Sequence, residues 1–402
     1  MSESSRALMA IAALPDQKQK TEQYKILLVQ MMADPTEQKL QAFVDHMLRD
    51  DVALVISRQL LQLMTQELVK LPAALQKPIA TYALEKTQTR VVSFDDSVTS
   101  LRETLSDLLE REEDYSKAAQ VLAGIDLDSG PRSQDPAYRL AKNIRISMLY
   151  LEDDDSVSAE SYIKKASALI GASADQGLEL QYKTCYARIL DAKRKFLDAG
   201  QRYYEISQMS AKPLAGGLTL SSDDLDQALG SAITAAILAP AGPQRSRLLS
   251  TLYKDERSAR SPKYGFLEKV YLERILTGPE IDSFAHTLKP HQMATFPDGT
   301  TVLARAVSQH NLLSASKLYN NISIEQLGHL LGVEPSRAET IAADMIQEGR
   351  MPGSIDQVDR LIRFDHKVDG LLQWDAQIQN VCRKVNDIID DIMDDPATAG
   401  AM

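Results

Sequence analysis

The sequence predicts a mainly α-helical protein: a helical-repeat solenoid, a winged helix that caps it, and one last helix built to join a bundle. Three observations predict this. Apolar residues recur at helical spacing from about residue 4 to 320, with almost no strand pattern. Residues 299–365 run helix, helix, helix, extended pair. Residues 369–394 carry a heptad seam.

The repeat can be counted. Ala118, Ala159 and Ala199 are its anchors, 41 and 40 residues apart. Thirteen residues before each anchor stand Leu105, Ile146 and Tyr186; ten before stand Leu108, Leu149 and Ile189. Nine before are Leu109, Tyr150 and Leu190, and four after are Leu122, Ile163 and Tyr203. Each unit is a helix A, a charged turn, and a helix B that starts with a small residue. The turns are Glu112–Asp114, Asp153–Asp155 and Lys193–Lys195. A small anchor lets helix B approach helix A closely, as in tetratricopeptide repeats. The period is longer than in that class, so the array is tetratricopeptide-like. Such units stack into a curved solenoid with an extended protein-binding surface.

Residues 1–90 read as further helices without an alignable repeat, so 1–210 forms one N-terminal arm. Residues 211–298 form a helical bridge, opened by the loop AKPLAGGLTLSS at 211–222. Its uncharged stretch 227–244 contains Gln227, Thr234, Pro240 and Pro243, which predicts a buried helix ending near Ala239, not a membrane span. Residues 289–300 read as a linker and turn.

In the winged helix, residues 301–318 supply the first helix. Ser323 with Gln326 forms an S-x-x-Q capping box for the second, which Gly332 closes. Pro335 opens the third, whose buried stripe is Ala338, Ile341, Ala342 and Met345. Its other face carries Arg337, Thr340, Asp344 and Gln347. Gly349 and Gly353 precede an extended pair, Ile355–Val358 and Leu361–Phe364. A DNA reader needs cations for phosphates. Residues 299–365 hold six Lys or Arg against eight Asp or Glu, and the third helix's open face offers one cation and one anion. The sequence therefore predicts no nucleic-acid partner. Arg337, Thr340, Asp344, Gln347, Ile355 and Val358 are candidate protein contacts instead.

The last helix alternates Leu371, Trp374, Ile378, Val381, Val385, Ile388 and Ile392 at spacings of three and four. This a/d seam must be buried, and its place beyond the last compact domain predicts helices of other subunits as the cover. The tail 395–402 reads as disordered.

Chemistry is not visible. The six histidines show no metal-ligand spacing; His286 and His291 near Asp282 read as solvated. Asp153–Asp155 breaks the calcium-loop pattern at Ser156 and Val157. No phosphate-binding glycine loop or nucleophile elbow occurs. Lys254–Arg257 reads as a salt-bridged or solvated helix face. No catalytic residue, cofactor or metal ligand is assigned. Two cysteines, Cys185 and Cys382, fit a reducing compartment. A net charge of −11 argues against polyanion partners, and no secretory or transmembrane segment is read. The expected location is cytoplasm and nucleus.

Helical repeats ending in a winged helix resemble the PCI-domain family, shared by the proteasome lid, the COP9 signalosome and a translation initiation factor. LVISRQLL (54–61), RVVSFDDSVTSLR (90–102), YLEDDDSVSAESYI (150–163), QRSRLLSTLYKDER (244–257), HNLLSASKLYNNIS (310–323) and EGRMPGSIDQVD (348–359) are similar to the signalosome members of that family. The resemblance runs over about residues 40–390, through loops as well as helices. It implies a non-catalytic scaffold subunit of the signalosome. There, winged helices associate edge to edge, C-terminal helices gather into a bundle, and another subunit removes a ubiquitin-like modifier from cullins. It also implies that the N-terminal arm reaches toward a cullin-RING ligase. A proteasome-lid scaffold, or less favourably a nucleic-acid adaptor, is the alternative within the family. Arg360 departs from the family's pattern, which carries Gly in the wing turn.

Overall fold

The computed structural model describes residues 3–12, 16–49, 51–127, 135–172, 175–209, 221–296, 299–365 and 370–394. The loop at 211–220, the tail 395–402, His366 and Asp298 lie outside the described residues. The chain divides into two compact units, Met1–Ala235 and Ala236–Met402.

The first unit begins with α1 (Glu3–Ala12), α2 (Gln17–Ala33), α3 (Glu37–Met47), α4 (Leu54–Leu68) and α5 (Ala73–Thr87). Tyr24, Leu28, Leu40, Phe43, Leu60 and Met64 fill their shared core, each at most 1% exposed. Three helix pairs follow: α6 (Asp95–Arg111) with α7 (Tyr115–Ala123), α8 (Pro136–Glu152) with α9 (Ser156–Ser167), and α10 (Gln176–Ala192) with α11 (Phe196–Ser207). These are the counted repeats. Ala118, Ala159 and Ala199 are each 0% exposed, which is what close helix approach requires. Each is the fourth residue of its helix B, not the first.

The charged turns share one geometry. Glu113, Asp154 and Arg194 all sit in the left-handed region, with φ of 63°, 60° and 60°. The amides of Asp114, Asp155 and Lys195 donate back five residues, to Leu109, Tyr150 and Leu190, each at 2.9 Å. This is the Schellman stop, here without its usual glycine. The Asp114 and Asp155 side chains then accept from amides of the next helix, so one aspartate links the end of helix A to the start of helix B. The hydrogen bond from the Lys117 ammonium, and after it the one from the Lys117 amide, hold the Asp114 carboxyl below the usual range. A second link was not read from the sequence. Ser106 Oγ donates to the Ala118 carbonyl at 3.2 Å, and Ser147 Oγ to the Ala159 carbonyl at 3.1 Å. In the third repeat the same position is Ala187.

Helix α12 (Ser222–Leu238) spans the boundary between the units and ends one residue before the expected Ala239. In the second unit α13 (Pro243–Lys254) carries Arg245, 4% exposed. Its guanidinium donates to the carbonyls of Ala236 and Ile237, both at 3.0 Å. A helix C-terminus leaves such carbonyls unpaired and carries partial negative charge, so a buried arginine satisfies both needs. Burial still pushes its pKa down to about 10. The Lys254–Arg257 run is not one helix face as expected. The helix stops at Lys254, and Asp255 caps a short 3-10 turn, accepting from the Arg257 amide at 3.0 Å and pairing with its guanidinium at 2.8 Å.

Helices α14 (Tyr264–Tyr271) and α15 (Gly278–Ala285) lead to α16 (Val302–Leu318), the first helix of the winged helix. Then come β1 (Asn321–Ser323), α17 (Ile324–Leu331), α18 (Pro335–Gln347), β2 (Gly353–Asp356), β3 (Leu361–Phe364) and α19 (Gly370–Asp394). The sheet is antiparallel in the order β1-β3-β2, with Ile322 and Ile355 both opposite Ile362. Strand β1 was not expected. The expected strand 355–358 is shifted to Gly353–Asp356, and Val358 lies in the turn. Ile322, Leu327, Ala338, Ala342, Met345, Ile362 and Phe364 close the core beneath.

Candidate docking site

The winged helix is held by polar contacts that its apolar stripe does not reveal. Helix α16 buries His310 and Asn311. Asn311 Oδ1 accepts from the Leu276 amide at 2.9 Å, and its Nδ2 donates to the Leu276 carbonyl at 3.2 Å. His310 Nε2 donates to the Arg274 carbonyl at 2.9 Å. Two side chains thus replace a strand partner for the segment entering α15. Burial holds the His310 ring neutral, pushing its pKa down to about 4.

On α18, Ala338, Ala342 and Met345 face the core, and Thr340, Asp344 and Gln347 are exposed. Arg337 is half-buried. Ile355 is half-buried and packs on the core, so it contributes less open surface than the sequence suggested. A groove of about 540 Å³ lies between α18 and β2, lined by Glu339, Ala343, Ser354, Ile355, Asp356 and Arg363. Val358 stands 93% exposed at the wing tip. The backbone of Arg360 is left-handed, at φ 52°, the conformation for which glycine is the ordinary choice. Gly353 must be glycine for another reason: a Cβ there would lie 2.6 Å from the Arg363 carbonyl oxygen.

Helix α19 leaves its seam uncovered. Trp374 is 67% exposed and Val381 61%, and Ile378, Val385 and Ile388 are also exposed. The side chains of Leu371 and Ile392 lie outside the described residues. Ile389, 45% exposed, was missed; it sits beside the seam and widens it. Covering a large aliphatic or aromatic side chain is worth about 1.5–3 kcal/mol when complete. Six such side chains, about half exposed, would gain on the order of 5–10 kcal/mol from a partner.

The arm presents a second surface. Its A helices are tied to one another by ion pairs: Lys142 to Glu103, Arg145 to Asp107 and Glu110, and Arg188 to Glu152. Beside them lies a groove of about 790 Å³, lined by Glu110, Tyr115, Lys142, Arg145, Met148 and Glu152. These pairs are partly exposed, so each contributes little to stability, and their value is in fixing repeat geometry.

Among the described residues, no group of three or more His, Cys, Asp or Glu could hold a metal ion. Cys185 is buried, and burial pushes its thiol up to about 12, so it is packing and not a nucleophile. No helix among them is long and apolar enough to cross a membrane.

Comparison with known proteins agrees with this architecture. Residues 3–212 match the family described as PSMD12/CSN4, N-terminal, and residues 284–366 match the PCI domain. An Arabidopsis thaliana protein named COP9 signalosome complex subunit 4 is 53% identical over 384 residues, covering 96% of each chain. Proteins of the same name from Dictyostelium discoideum and Drosophila melanogaster are 45% and 43% identical. They cover 95% and 93% of this chain, and 95% and 91% of their own.

Proposed function

This chain belongs to the COP9 signalosome complex subunit 4 family, and from that premise we propose that it acts as a non-catalytic scaffold of the signalosome. In this reading it supports removal of a ubiquitin-like modifier from the cullins of cullin-RING ligases, while another subunit performs the chemistry. The winged helix and α19 hold it among neighbouring subunits. The repeat arm, through its A-helix groove, helps to bind the ligase. Cytoplasm and nucleus are the proposed locations.

The observation that carries the scaffold role is the uncovered seam of α19. A helix with exposed Trp374, Ile378, Val381, Val385 and Ile388 is costly in water and stable when covered. The test is removal of residues 370–402 from the chain expressed with the other subunits. The shortened chain is expected to keep its fold and to leave the large assembly. Co-elution of the shortened chain with that assembly, at wild-type stoichiometry, rejects the seam as an attachment. Release of modifier from a cullin by the purified chain alone would reject the non-catalytic role.

A further inference from the structure

Hydrophobic side chains at loop tips are usually mobile, and ordering them on binding costs entropy. The wing tip is built differently. Asp356 Oδ1 accepts from the amides of Val358 and Asp359, at 3.1 and 3.2 Å. Gln357 donates to Glu339 of α18 at 2.7 Å, and Arg360 donates to Glu325 of α17 at 3.4 Å. Arg360 closes the turn in the left-handed region, and its carbonyl accepts the Ile324 amide at 3.0 Å. The tip is therefore joined by side-chain hydrogen bonds to two of the three helices of the winged helix, α17 and α18. The side chain it holds out, Val358, is 93% exposed. The turn and the groups bonded to it carry four acids, Asp356, Asp359, Glu325 and Glu339, against two bases, Arg360 paired with Glu325 and Arg363 with Asp356, which leaves an acidic excess of two.

We propose that Val358 is a preorganised aliphatic knob by which the wing tip inserts into an apolar, basic-rimmed socket on a neighbouring signalosome subunit. The rigid turn means that little ordering remains to be done on docking. The acidic surround fits a positively charged rim and would disfavour an acidic one. The wing tip, and not the α18 face of Thr340, Asp344 and Gln347, is then the residue-level contact. This rests on the reading that the winged helix docks other subunits, and it narrows that reading to one side chain.

The experiment is competitive incorporation. Wild-type chain and a differently tagged variant are expressed together with the other subunits, the assembly is purified, and the two tags are quantified by mass spectrometry. V358I is expected to match wild type. V358D is expected to lose about thirtyfold, the loss typical of a central interface residue. Its melting temperature should not change, because the side chain touches little of its own fold. D359K is expected to lose severalfold, and D344R to incorporate normally. Equal incorporation of V358D and wild type overturns the knob. If D344R is then the variant lost, docking stands but runs through the helix. If V358D, D344R and the seam variant I378D/V385D all incorporate normally, the docking reading falls with it. A gain by D359K overturns the basic rim. Self-association of the purified wild-type chain, abolished by V358D, would place the socket on a second copy and overturn the assignment to another subunit.

Discussion

Asn311→Ala isolates one buried contact of the second unit, between α16 and the segment entering α15. Asn311 is 4% exposed and satisfies both backbone groups of Leu276, itself 4% exposed. Alanine leaves a buried amide and a buried carbonyl without partners. Each costs about 1–3 kcal/mol, so the sum is about 3 kcal/mol if water reaches one of them. A change of that size is roughly a hundredfold in an opening equilibrium. Hydrogen exchange by mass spectrometry over residues 272–280 reads it directly. The Leu276 amide should exchange about a hundredfold faster in the variant, and the second unit should melt earlier. Peptides from α6 to α9 should not change, since they lie in the other unit. Wild-type protection at Leu276 in the variant would refute the argument that this side chain stands in for a strand.

Three further outcomes follow from the geometry. His310 has a folded pKa of about 4, below its ordinary value of 6.5, so its contribution to stability is complete above pH 6.5 and falls as pH drops toward 4. Between pH 7 and 5 the loss should be about 2 kcal/mol, and His310→Gln should flatten that part of the stability profile measured by urea melts. Gly353→Ala forces a Cβ against the Arg363 carbonyl and should cost about 1–3 kcal/mol, with faster exchange in β2 and β3. Ala159→Leu overfills a site with no exposure and should destabilise by about 2 kcal/mol or more, with loosened protection of α8 and α9.

Much of the fold was legible because it depends on periodicity. The 41- and 40-residue steps between Ala118, Ala159 and Ala199 survive in sequence because each repeat must bury the same position. Gly332 and Pro335 marked the helix boundaries in the winged helix by local backbone constraint, and Gly332 is left-handed as a helix stop requires. What escaped has identifiable reasons. Strand β1 is three residues long and ends on Ser323, the residue that also caps α17, accepting from the Gln326 amide at 3.3 Å. The cap signal hid the strand. Glu113, Asp154 and Arg194 adopt a conformation that charged residues rarely signal, so the turns were found by charge and not by shape. The Asn311 clip joins positions 35 residues apart, beyond any local pattern. Ser106 and Ser147 could have been noticed, since both stand 12 residues before an anchor. In the candidate docking surfaces, the seam was readable from spacing alone. The prominence of Val358 was not, because it depends on where the wing turns.

The central claim is that the seam of α19 is covered by other subunits, and Trp374 reports on it. It is the one tryptophan in the chain and is 67% exposed in isolation. Hydroxyl-radical footprinting read by mass spectrometry can compare its oxidation in the free chain and in the purified assembly. The account expects rapid oxidation of Trp374 and Ile378 in the free chain and at least a severalfold fall in the assembly. Equal oxidation in the two states would contradict it.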